Sequence, residues 1–463
     1  MITQFSHKLT LFYGTFIDIP NLNSQNCRIR SYCVVGVSRH NGTIVFIEEN
    51  FHGDLVKLAQ SWDPILTANE INIINHTELG QDGFFFPGFI DTHIHASQYP
   101  NSGLFGKTTL LDWLNEYTFP LESKLFDLNI ANQIYNKIIK RTLSYGTTTA
   151  AYYTTIHLES SKLMARLCLK YNQRAYIGKI CMNQNSPSYY IESSARESID
   201  TTTQLIDYIK ELNDSRISPV ITPRFAPSCD ETLLSQLGQL AKQNNLPIQT
   251  HLSENVNEIE WVEQLFPKNS NYTDVYDKNG LLTQKTILAH CIHLNEDELN
   301  VIRNQKSGIS HCPISNSCLG SGECPTRKIL NKGIDIGLGT DISAGYSPSI
   351  LEVARHAHMV SRHLSKHENN DSLKLSIVEC LYLATMGGAH VMGLQDTIGS
   401  FDVNKQFDSQ FIDLTARNSP IDLFPWEKQT EKLEKWFFNG DDRNVITVWV
   451  GGVESGLKSK PHL

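Results

Sequence analysis

A chain of 463 residues is long enough for one large domain and a smaller one, and its net charge of −9 argues against nucleic acid or an anionic membrane surface as its main partner. With 40% apolar and 19% charged residues it has the balance of an ordinary globular protein, and no apolar run reaches the ~18 residues of a membrane-spanning helix. Residues 1–8 show no basic stretch followed by an apolar one, so no secretory signal is expected, and ten cysteines without framework spacing read as reduced cytosolic thiols. The last three residues, Pro461-His462-Leu463, resemble a peroxisomal tripeptide only weakly because of Pro461, so the expected location is cytoplasmic.

In chain order, residues 8–48 read as β, with apolar runs at 9–13 and 34–38, an Asn41-Gly42 hairpin turn and a third run at 43–47. Residues 50–82 are mixed and polar. Then Phe84-Phe85-Phe86-Pro87-Gly88-Phe89-Ile90 leads into Asp91-Thr92-His93-Ile94-His95. Side chains alternate faces along a strand, so His93 and His95 leave the backbone on one side, where both can reach one metal ion. Two ordinary core histidines would look the same, and this motif alone does not decide between them.

Strand signals recur between helical stretches at 147–153, 175–180, 220–225, 248–252, 286–290, 308–312 and 334–341. With the strand that carries His93, eight strands alternating with helices predict an α/β fold, a (β/α)8 TIM barrel. After Gly399 the pattern returns to β at 411–413 and 445–451, with surface loop and helix over 416–435. The two ends are expected to pair into a small discontinuous β-sandwich of residues 1–86 and 400–463, beside a barrel of residues 87–399.

Chemistry in such barrels sits at the C-terminal ends of the strands. There this sequence places His93, His95, Arg224, His251, His290, His311 and Asp341. Three imidazoles (His93, His95, His251) and the Asp341 carboxylate suit a divalent ion with one position open to water. Taken singly, His251 reads as core and Asp341 as a helix cap; their shared position at strand ends favours the site. Glu254, three residues past His251, stands where it would protonate a substrate nitrogen or move a proton from water, although Glu258 and Glu260 after it also fit a solvated acidic face. His290 faces the same water, whereas His293 and His311 read mostly as structural. A two-metal site of this architecture needs a bridging acidic group, often a modified lysine on the fourth strand. That strand ends Pro223-Arg224-Phe225-Ala226-Pro227 without lysine, so one metal is expected. Arg224 offers a donor fork and Phe225 an aromatic face, a match for a flat ring bearing a carbonyl oxygen; core packing is the rival role for Phe225.

These residues resemble the amidohydrolase superfamily, through Asp91-Thr92-His93-Ile94-His95, His251, His290, Asp341 and the flanking β segments. Within it the chain is similar to the branch that deaminates guanine. The likeness runs through residues 87–99, 111–120, Thr222-Pro223-Arg224-Phe225, His251-Leu252-Ser253-Glu254-Asn255, residues 272–277, Gly337-Leu338-Gly339-Thr340-Asp341 and Asn439-Gly440-Asp441-Asp442-Arg443-Asn444, nearly the whole chain. The resemblance implies hydrolysis of guanine to xanthine and ammonia, with one zinc ion held by His93, His95, His251 and Asp341. It implies substrate contacts from Gln98, Arg224, Phe225, His251 and Glu254, proton handling by Glu254 and Asp341, His290 against the water, and a cytosolic homodimer. In one departure, the usual Gly-Lys turn of the C-terminal β region reads Asn404-Lys405; asparagine tolerates positive φ, so the turn is expected to survive. The rivals are hydrolysis of a triazine, a pterin or adenosine, and a catalytically dead relative serving as a scaffold. Arg224 disfavours an adenine-type ring, and the complete ligand set disfavours a dead scaffold.

Overall fold

The computed structural model describes residues 8–24, 26–104 and 110–456; the first seven residues and Pro461-His462-Leu463 lie outside them. Between residues 89 and 338 each strand of the main sheets pairs parallel to its sequence neighbours. Phe89–His95, Thr147–Tyr153, Arg174–Gly178 and Ile217–Pro219 pair in that order, as do Ile248–Leu252, Thr286–His290, Gly308–His311 and Ile336–Leu338. A parallel bridge from Ile221 to Ile248 joins the two sets, and the Gln249 amide donates to the Ile221 carbonyl at 2.9 Å. At the other end the chain beyond Leu338 returns to the first strand. The Asp341 amide donates to the His93 carbonyl at 2.9 Å and the His95 amide to the Ile342 carbonyl at 3.1 Å. The buried Asp91 carboxyl reinforces this closure by accepting from the Thr340 amide at 3.0 Å and hydroxyl at 2.5 Å.

The fourth strand departs from expectation. The sequence suggests one run over 220–225, but the chain forms two short pieces, Ile217–Pro219 and Thr222–Pro223. Pro219 and Pro223 lack the N–H that a continuous ladder needs, so the strand breaks and bends between them. Helices cover the parallel strands through apolar faces. In Leu128–Ser144, capped by Asp127 accepting from the Asn129 amide, Ala131, Ile134, Tyr135, Ile138, Ile139 and Thr142 are buried at helical spacing. Each such large apolar side chain contributes ~1.5–3 kcal/mol on burial. Among the described residues no helix is long and apolar enough to cross a membrane.

The two ends of the chain do pair. Gly83–Pro87 runs antiparallel to Ser409–Asp413 with Phe85 opposite Phe411, inside one eight-stranded sheet that also holds Leu9–Asp18, Arg28–Ser38 and Val445–Val450. Seven of its strands form one continuous hydrogen-bonded path, the eighth, Ile71–Asn75, pairs with Leu9–Asp18, and the sheet curls. Phe12 and Trp449 lie on strands three steps apart, roughly 14 Å in a flat sheet. Their ring centroids are 5.4 Å apart, in an aromatic core shared with Phe16, Phe85, Phe407 and Phe411. The 404–407 turn meets the start of the third strand, the Asn404 amide donating to the Ile44 carbonyl at 2.9 Å. Asn404 has φ 75°, so the residue standing in place of the usual glycine does adopt the left-handed conformation. From this sheet the chain passes through Gly88 into the first parallel strand. Any Cβ there would sit 2.0 Å from the Thr148 hydroxyl oxygen, so only glycine fits.

Candidate active site

The strand ends bring the expected donors to one point. His93 Nε2 and His95 Nε2 lie 3.2 and 3.4 Å from the same Asp341 oxygen, Oδ1. His95 Nε2 and His251 Nε2 are 3.2 Å apart. His93, His251, His290 and Asp341 each present one donor atom within 4.8 Å of the others. That group contains His290 where the sequence set has His95, so five donors in all face one small volume. The backbone is turned to achieve this: Ser253, His290 and Asp341 have φ of 49°, 71° and 46°, a conformation that non-glycine residues adopt mainly where surrounding structure enforces it.

Electrostatics suit a cation. Burial lowers the pKa of His93, and lowers those of His95 and His251 well below the ordinary imidazole value, with repulsion from neighbouring imidazoles adding to the latter two. Burial also opposes the Asp341 charge, but hydrogen bonding and attraction from His93, helped by His290 and His95, hold that carboxyl far below the usual range. Burial thus favours neutral imidazoles, the form that binds a metal, around a carboxylate whose ionised form is favoured. Tautomers are fixed from behind. A carbonyl only accepts, so His251 Nδ1–H donates to the Arg224 carbonyl at 2.6 Å, and His290 Nδ1 is 2.8 Å from Asn316 Oδ1. His290 Nε2 is buried and completes no hydrogen bond, and His93 Nε2 faces the Asp341 carboxylate at 3.2 Å; a bound divalent ion or its water would engage both.

Beside this cluster lies a cavity bordered by Gln98, Trp113, Arg224, Phe225 and Glu254. Glu254 is only 3% exposed, so it is not part of a solvated acidic face. Its Oε2 is 3.4 Å from His290 Nε2, and the Ser321 hydroxyl donates to its Oε1 at 3.4 Å. Burial, then repulsion from Asp341, raises its carboxyl pKa well above the ordinary value. Glu258 is buried too, against the sequence expectation. It accepts from the Glu254 amide at 3.0 Å and the Tyr272 hydroxyl at 2.9 Å, and burial pushes its pKa up to about 7. It thereby holds the loop that carries Glu254.

Arg224 and Gln98 meet on a residue the sequence reading missed. The Glu122 carboxylate accepts from Arg224 Nη1 at 2.7 Å and from Gln98 Nε2 at 3.0 Å. Burial disfavours the Arg224 cation, but Glu122 outweighs it and leaves the guanidinium pKa above its usual value. The guanidinium also stands 5.1 Å from the centroid of the Phe119 ring. Phe225 packs edge-on to Trp261, with 6.1 Å between ring centroids. Tyr153, also missed, lies 4.5 Å from the His95 ring and 4.8 Å from that of His93. His293 donates from Nε2 to the Ser321 carbonyl at 2.8 Å, a structural bond, and His311 is buried with neither ring nitrogen bonded.

The sequence matches the amidohydrolase family over residues 84–454. The chain belongs to that family. It is 48% identical over 461 residues to a Schizosaccharomyces pombe protein named probable guanine deaminase, an alignment covering 99% of this chain and 85% of that one. To the Homo sapiens guanine deaminase it is 43% identical over 449 residues, 96% of this chain and 95% of the other. The crystal structure of the C. acetobutylicum guanine deaminase, with guanine bound in its active site, matches at a TM-score of 0.86 and 35% identity, covering 96% of this chain and 100% of that one.

Proposed function

We infer that this chain is a guanine deaminase, converting guanine and water to xanthine and ammonia. The observation that carries the reading is that Arg224 and Phe225 border the same cavity as the His/Asp cluster, in a chain whose relatives of that name align along nearly its whole length. Incubating the purified protein with guanine and measuring ammonia tests it; no ammonia from guanine overturns it.

The parallel strands, linked at Ile221–Ile248 and at His93–Asp341, are best described as one (β/α)8 barrel of residues 87–399, with the curled sheet of residues 1–86 and 400–463 as a second domain. One zinc ion fits at His93, His95, His251 and Asp341, with His290 turned toward the attacking water. When bound, such an ion acts as a Lewis acid that brings the pKa of a water down to about 7. The chain's own groups do the rest. Arg224 donates to the ring carbonyl, Gln98 bonds the ring edge, and Phe225 lies along its face. Water adds to C2 while Glu254, whose protonated form burial favours, donates to the adjacent ring nitrogen. Asp341 takes one proton of the water and delivers it to the amine as the C2–N bond breaks, and the remaining hydroxyl proton returns to Glu254 as the C2 carbonyl forms.

With no lysine at the end of the fourth strand, one divalent ion per chain is the expected stoichiometry. Elemental analysis that finds two equivalents in active protein would overturn it. A cytosolic homodimer completes the proposal. Its location is supported by ten unpaired cysteines, and the dimer rests on resemblance. Light scattering should give twice the chain mass at micromolar concentration, and the monomer mass there refutes the dimer.

A further inference from the structure

Glu122 has no role in the reaction as derived above, yet its carboxylate is wholly buried against the residues that bind the ring. One oxygen, Oε2, accepts from Arg224 Nη1 at 2.7 Å. The other, Oε1, accepts from Arg224 Nη2 at 3.4 Å, Gln98 Nε2 at 3.0 Å and the Ser97 hydroxyl at 3.3 Å. Local structure does not call for an acid here. Glu122 ends the short helix Phe119–Glu122 and stands at the N-cap of the turn Ser123–Phe126, where its side chain makes no capping bond. Its partners lie 24 and 102 residues away, so the carboxylate serves the pocket and not its own helix.

The consequence is one of charge. A buried guanidinium without a counter-ion is an anion trap, because no water screens it. Paired with Glu122, Arg224 still borders the cavity, but the two together carry no net charge. Gln98 is oriented by the same carboxylate, which takes its NH₂ group and leaves Oε1 3.5 Å from the Ser343 amide. We propose that Glu122 is the residue that makes the ring-carbonyl end of the pocket selective for a neutral purine over an anionic one, the ionised product included. The inference rests on the guanine deaminase reading. Replacing guanine's amidine by a second carbonyl creates an imide N–H, which ionises more readily than the lactam of guanine. A neutral Arg224–Glu122 pair accepts the neutral substrate and gives the ionised product no extra hold, which favours its release.

The test compares hypoxanthine, a neutral purine with oxygen at C6, with purine-6-carboxylate, which places an anion at the same position. Calorimetric binding to the metal-loaded enzyme should favour hypoxanthine by at least about tenfold in the wild type. Glu122→Gln should shift that ratio toward the carboxylate by at least about tenfold, whereas Glu122→Asp, which keeps the charge, should leave it within about threefold. Product inhibition by xanthine should tighten in Glu122→Gln alone. A merely structural Glu122 would weaken both ligands alike, so an unchanged ratio in a folded Glu122→Gln protein overturns the proposal. If that variant does not fold, the wild type decides: binding the carboxylate as tightly as hypoxanthine overturns the proposal, and rejecting it supports the proposal. Failure of the wild type to release ammonia from guanine is a separate result, and it overturns the activity reading instead.

Discussion

Glu254→Gln should keep its metal and its affinity for guanine while losing between about 10² and 10⁴ in turnover. The substitution is nearly isosteric. It retains an acceptor for the Ser321 hydroxyl and leaves the backbone amide bonded to Glu258. What disappears is an acid whose protonated form is favoured by burial and by the neighbouring Asp341 charge. An amide cannot give a proton to the ring nitrogen as water adds at C2, so the loss falls on kcat, with KM nearly unchanged. Steady-state kinetics with metal content measured on the same preparation separates the cases. Turnover near that of the wild type would remove Glu254 from the proton path. Loss of metal alongside activity would mean that the side chain organises the cluster and is not an acid.

The positions gathered at this site were readable in the sequence because strand ends are readable. Apolar runs that stop at His95, Arg224, His251, His290, His311 and Asp341 mark where backbone leaves the sheet, and parallel strands with helical crossovers put all those ends on one side. The Asn404 turn was readable for a similar local reason, since few residues besides glycine accept positive φ. Glu122 was not. Its partner Arg224 is 102 residues away, and an acid after Phe119-Pro120-Leu121 resembles any first-turn glutamate until the fold brings it to the guanidinium. Only its place directly after the aromatic-rich run 110–121 gave any signal. Asn316 behind His290 and Glu258 behind Glu254 share that difficulty: groups that orient other groups carry no spacing of their own. The broken fourth strand is a different matter. Pro219 and Pro223 were visible, and the apolar pattern outweighed them wrongly, since a missing N–H interrupts a ladder however well the side chains alternate.

Guanine should turn over and adenine should not, by a margin of about 10⁴ or more. Guanine offers a carbonyl oxygen at C6, and Arg224, which borders the cavity that would receive it, has N–H groups to donate beyond those bonded to Glu122. Adenine has an amine at C6, which would set donor against donor in a site where burial leaves neither group a water to bond. Gln98 contributes to the same discrimination, because Glu122 fixes which end of its amide is free. Arg224→Leu should therefore abolish most of the preference together with most of the activity. Part of that loss has a structural origin, since removing one partner of a buried pair leaves the Glu122 charge uncompensated and costs ~3–5 kcal/mol of stability. The ratio of guanine to adenine turnover is the informative quantity, because a fall in the folded fraction lowers both rates equally and leaves the ratio alone. Each purine is supplied separately and the deaminated, oxo-substituted product followed by absorbance, with ammonia as a check. Equal rates on adenine and guanine in the wild type would mean that Arg224 does not read the carbonyl, and the assignment of guanine as substrate would fall with it.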